Sequence, residues 1–249
     1  MSNARKLADN LPTEGQLGGR NILMNGAQVI SQRGTAALTA SASSDTFITD
    51  RFRISNYSDA TFTGQQVADA PTGFEYSTKV TTTGTDTSLA AAQYQRFITA
   101  IEGYNMNHLN YGTSNAKTCT LSFHVKSSLT GTFGASLVNA AHDRSNVQTY
   151  TINSANTWEY KTFTVAGDTS GTWVTNTGTG LQLMFDLGSG SDKLTDTTNQ
   201  WVAGEYHGTT SSVKLTHTNS ATLQFAGVQL EAGTQATAFE HRSFGEELA

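Results

Sequence analysis

Charge, proline and cysteine are all scarce in this chain, and each scarcity removes a class of protein. Only 14% of the 249 residues are charged, two are proline and one is cysteine. Helical proteins build their exposed faces from Glu, Lys, Arg and Gln, so a chain this poor in charge argues against a helical fold. The lone Cys119 excludes an internal disulfide, and it has none of the His–acid company that a nucleophile needs. A formal net charge of −5 gives no basic footprint for nucleic acid or for an anionic membrane. No apolar run is long enough to span a bilayer, and no charged start with an apolar stretch behind it marks a secretory signal.

What the chain does have is Thr, Ser, Gly and Asn, with aromatic residues making up 9%. Those aromatics can bury a core, which argues against disorder. Thr-rich segments joined by Gly and Asn turns read as strands. In Thr118–Lys126, Cys119, Leu121, Phe123 and Val125 alternate with polar residues, so His124 faces solvent or a partner chain. Leu181, Leu183, Phe185 and Leu187 form a second inward set, and Trp158–Val165 a third strand. Further strands are expected at Ile22–Met24, Gln28–Ser31, Phe47–Ile54 (with Asp50-Arg51 in its middle), Gly73–Val80, Arg96–Glu102, Gly131–Val138, Val147–Ile152 and Trp201–Tyr206. Leu89–Gln95 reads as one or two helical turns, and Thr35–Ser44 as a loop. In Ala221–Phe244 the apolar phase flips at Gly227, the mark of one bulged strand followed by a tail anchored by Phe239 and Phe244. About ten short strands with no intervening amphipathic helix point to an all-β, antiparallel jelly-roll sandwich over residues 21–249. Residues 1–20 form an N-terminal arm, with a short helix over Ser2–Asn10, too small to stand alone and expected to dock on other proteins.

No catalytic template is met. A phosphate-binding loop, a Gly-x-Ser-x-Gly elbow and a His-Glu-x-x-His pair are all missing, and the six histidines lack metal-ligand spacing. Asp143, Asp186 and Glu205 are nominal glycosidase carboxylates, because such pairs need only meet in space. Asp192 and Asp196, in a flexible loop, are the nearest approach to a calcium site; otherwise no cofactor or metal is expected. Trp173, Trp201 and Tyr206, with Asn176 nearby, have the aromatic-plus-amide composition of a glycan platform.

The motifs Asn25-Gly26 with Gln32-Arg33-Gly34, Phe47–Phe52 around Asp50-Arg51, Ser122–Lys126 and, above all, Val228–Leu248 resemble a family of virion proteins of marine and cyanobacterial bacteriophages. The resemblance spans nearly the whole chain. Phe52 stands where that family often has Trp, and the sequence stops at Ala249 where relatives commonly continue, so contacts made by such a tail are in doubt or the sequence is incomplete. The resemblance implies a non-enzymatic virion protein, a tail-fibre-like or surface appendage, that is a homotrimer. Its jelly roll would resemble carbohydrate-binding modules, and Asn3, Arg5, Leu7 and Leu11 would attach it to other virion proteins. Glu231, Phe239, Glu240, Arg242 and Phe244 would fix the tail to the sandwich or to a neighbouring subunit. Alternatives are a receptor-recognition module for host surface glycan, a capsid decoration protein and a polysaccharide depolymerase.

Overall fold

In a computed structural model, residues 19–248 are described; the expected attachment residues Asn3, Arg5, Leu7 and Leu11 lie outside them. The chain is an antiparallel β-sandwich of jelly-roll type. The first sheet contains β1 (Leu38–Ala40), β4 (Thr61–Val67), β5 (Ser77–Gly84), β13 (Thr222–Ala232), β7 (Cys119–Ser127) and β10 (Glu159–Val165), in that spatial order. The second contains β12 (Trp201–Ala203), β9 (Arg144–Ile152), β8 (Gly131–Asn139), β11 (Thr179–Ser189), β6 (Tyr94–Glu102), β3 (Phe52–Tyr57) and β2 (Ser44–Thr49). Among the described residues there are also two short helices, α1 (Gly103–Met106) and α2 (Phe244–Leu248), and three 3-10 turns. No described helix is long and apolar enough to cross a membrane.

Period-two patterning puts one set of side chains from each sheet inside. Phe225 of β13 lies 4.2 Å from Phe185 of β11 and stacks at 5.3 Å on Phe97 of β6; Phe123 of β7 meets Phe185 edge-on at 5.0 Å. All four rings are buried, so the two sheets are held by one aromatic layer. Cys119 is buried in this core, where burial pushes its thiol up to about 11 and Tyr111 meets its sulfur at 3.2 Å.

Several expected elements are corrected by this fold. Phe47–Ile54 is not one strand but a hairpin: Asp50-Arg51 forms the β2–β3 turn, with Arg51 at φ 72°. Leu38–Ala40, read as loop, is an edge strand, and Leu89–Gln95 contains no helix. Ile22–Met24 and Gln28–Ser31 are buried but not strands. They are tied to the sandwich by isolated backbone bonds, Ile22 to Leu230 and Val228 to Gly26, and by side-chain bonds: Gln28 accepts from the hydroxyls of Thr49 and Thr78, and Asn21 bridges to the Val228 carbonyl and the Leu230 amide. A Cβ at Gly26 would lie 2.1 Å from the Val228 carbonyl oxygen, so the Asn-Gly turn is set by its close approach to β13.

Candidate functional site

The bulge expected at Gly227 is present. Pairing of β13 with β7 shifts register between Ala226 and Gln229, with Gly227 at φ 59°. A Cβ there would lie 2.4 Å from the Phe74 ring, so the missing side chain makes room for that ring on the outer face of the sheet. The same alternation that sends Phe123 inward sends Ser122 and His124 outward, and register places Tyr160 of β10 directly opposite His124. The result is an aromatic row: Tyr160 lies 4.9 Å from His124, His124 lies 5.3 Å from Phe74, and Phe74 meets Phe239 of the tail edge-on at 5.0 Å.

Tyr160, His124 and Phe239 line a groove of about 250 Å³ together with Ser122, Gly227 and, on its tail side, Thr237. Tyr160 is 49% exposed, leaving ring surface for a ligand. Burial lowers the His124 pKa, so the imidazole is neutral at neutral pH, and its Nδ1 is buried without a hydrogen-bond partner. No lining residue carries a formal charge. Beyond Tyr160 the row continues to Trp158, whose ring lies 5.1 Å from the Lys126 ammonium and whose indole N–H donates to Asp69. Lys126 and Gln224 also bond Asp69. Aromatic faces beside neutral hydroxyl, imidazole and amide groups suit an uncharged polyhydroxylated ligand.

The tail wall is built by the residues of the C-terminal motif. Glu231 accepts from the Thr237 amide at 2.8 Å and its hydroxyl at 2.7 Å, while Gln229 accepts from the Glu240 amide at 2.8 Å. Glu240 accepts from the amides of Gly19 and Asn21, and Arg20 donates to the Thr237 hydroxyl at 2.6 Å. Arg242 donates to the carbonyls of Asn21 and Leu23. Phe239 packs on Phe74 and His241, whereas Phe244 is 62% exposed.

The glycan residues expected from sequence lie elsewhere. Trp173 and Trp201 come together, edge-to-face at 5.3 Å, and both pack on Tyr111. Their indole N–H groups donate to the carbonyls of Ser170 and Ala166, and Trp173 is buried. Tyr206 is half-buried and its amide donates to Ser145; Asn176 is exposed and accepts from the Gly178 amide.

Glu205 is surrounded on the outer face of the second sheet. Arg96 at 2.6 Å, His142 at 2.5 Å and Lys193 all donate to it, with His207 at 3.3 Å, and these hold its carboxyl far below the usual range against the opposing effect of burial. Asp186 is buried, its pKa pushed up to about 6 by desolvation, and it accepts from Ser189. Asp143 accepts from Asn139. The loop after β11 is thereby pinned to the sheet by ion pairs. Asp196 accepts from Thr210, and among the described residues no group of three or more His, Cys, Asp or Glu is arranged to hold a metal ion.

Neither a protein family nor a curated protein sequence matches the chain. Solved structures with a similar course include a family 4 carbohydrate-binding module, at 17% identity and a TM-score of 0.39, covering 84% of this chain and 98% of that one. The enzymatically active domain of tailspike protein 4 from bacteriophage CBA120 is 11% identical with a TM-score of 0.41, covering 86% of this chain and 21% of that one. A family 11 module from Clostridium thermocellum, in complex with a β-1,3-1,4-mixed-linked tetrasaccharide, is 10% identical with a TM-score of 0.39, covering 82% and 99%.

Proposed function

We propose that this chain is a non-catalytic glycan-recognition domain that binds an uncharged sugar in the groove between Tyr160, His124 and Phe239. The observation that carries the reading is the groove itself: a half-exposed tyrosine face on a concavity with no charge in its lining. A pyranose stacks its C–H face on such a ring, while its hydroxyls meet the neutral polar groups that line the groove. Its setting, a surface appendage or tail fibre of a phage virion, is supported by the Val228–Leu248 motif. In that setting residues 1–20 attach the domain to the particle, the protein assembles as a trimer, and the ligand is host surface glycan.

Binding to a panel of neutral oligosaccharides tests the sugar reading. Tyr160→Ala is expected to weaken the best ligand by about tenfold or more, with the fold intact by circular dichroism, while Trp173→Ala acts through stability. Affinity unchanged in Tyr160→Ala and Phe239→Ala would overturn it.

A further inference from the structure

A second concavity, of about 170 Å³, opens on the opposite sheet between Phe47, Arg53, Ala100, Glu102, Thr177 and Thr179. The guanidiniums of Arg51 and Arg53 line it, and that of Arg33 stands beside it on the Phe47 ring. Arg33 and Arg53 flank the Phe47 ring, 5.1 and 5.6 Å from its centre, and Arg51 projects from the β2–β3 turn. That turn holds Arg51 in the left-handed region, which non-glycine residues rarely adopt, and the side chain reaches Glu102 at 2.5 Å.

Each guanidinium carries five N–H donors in a fixed fork. Among the described residues Arg51 makes one hydrogen bond, and Arg33 and Arg53 make none. Their nearest carboxylates, Asp50 and Asp45, stand at 3.6 and 3.7 Å, and the Nε of Arg53 is buried without an acceptor. Asp45, Asp50 and Glu102 balance the three positive charges, so a small free anion gains little here. Neither pair closes to hydrogen-bond distance, so exchanging one for a better-shaped acceptor is correspondingly easy.

We propose that this face is a separate binding site for a uronate-containing saccharide. The sugar carboxylate takes the planar forks of Arg53 and Arg33, which match it in a bidentate manner. Glu102, Thr177 and Thr179 meet ring hydroxyls, and Phe47 with Ala100 supplies the apolar floor. This site is independent of the neutral-sugar groove on the other sheet.

Isothermal titration with galacturonate trisaccharide and with neutral galactotriose tests it. The uronide is expected to bind at least tenfold more tightly in the wild type, and the difference to vanish in Arg53→Gln. Arg33 is 55% exposed, so Arg33→Gln keeps the fold and is expected to lower uronide affinity several-fold. Equal affinity for the acidic and neutral sugars, or a uronide preference surviving both substitutions, would overturn the proposal. So would loss of that preference in Tyr160→Ala, which places the ligand in the other groove. A sulfated oligosaccharide binding more tightly than the uronide would overturn the carboxylate assignment.

Discussion

At Gly227 one residue settles both backbone and site. A side chain there must adopt φ 59° and must push Phe74 out of the aromatic row. Gly227→Val is therefore expected to cost roughly 1–3 kcal/mol in the denaturant midpoint and to abolish sugar binding, since Gly227 lines the groove. Phe225→Ala, in the shared aromatic layer, is expected to cost about 3–5 kcal/mol without altering the groove's polar groups. Asp186 and His207 titrate in opposition. The folded pKa of Asp186 is raised to about 6, so its contribution to stability is full below about 4 and is lost as pH rises through 6. Burial depresses that of His207 to about 4, so its contribution is full above about 6.5 and is lost as pH falls toward 4. Between these limits the two offset one another. Asp186→Asn removes the first: at pH 8 the variant is expected to be more stable by about 3 kcal/mol, with the gain shrinking below pH 6 in thermal melts at successive pH values.

Strands β7 and β11 were legible because each keeps an unbroken alternation with an apolar inward face, and β10 and β13 because their aromatic and aliphatic residues still alternate with polar ones over most of their length. The bulge in β13 was legible for the same reason, as a slip of that phase at a glycine. β4 was not, because Gly64, Gln65 and Gln66 dilute its pattern, and the β2–β3 turn was hidden inside an apolar run. The segment 22–31 misled because its apolar residues are buried by isolated backbone and side-chain bonds that never make a continuous strand ladder. The groove was illegible for a further reason: Tyr160, His124 and Phe239 come from two strands and a tail, and nothing local to any of them records that they meet. Tryptophan content pointed instead to Trp173 and Trp201, whose rings are occupied by each other and by Tyr111. The tail itself is held chiefly by polar contacts. Glu240→Ala removes the acceptor of two amides and is expected to speed proteolytic clipping after residue 236 severalfold, with little change in the melting of the sandwich.

For the whole molecule, the two sheets of the described residues enclose one aromatic core and present a different chemistry on each outer face, an uncharged aromatic groove on one and a cluster of guanidiniums and carboxylates on the other. Removing residues 1–18 leaves every described contact in place. The truncated protein is expected to melt within a few degrees of the full chain but to be missing from purified particles, as read by immunoblot; normal incorporation would refute the role given to the arm. The end of the arm and the residues after it, Gly19 to Leu23, are bonded to the same tail that forms the groove wall, through Arg20 to Thr237 and Glu240 to Gly19 and Asn21. Mechanically, tether and grip share those bonds. Tension applied at Gly19 reaches Thr237 and Phe239 before it reaches the aromatic core, so in the virion setting proposed above a pull on the arm would loosen the groove before the domain unfolded.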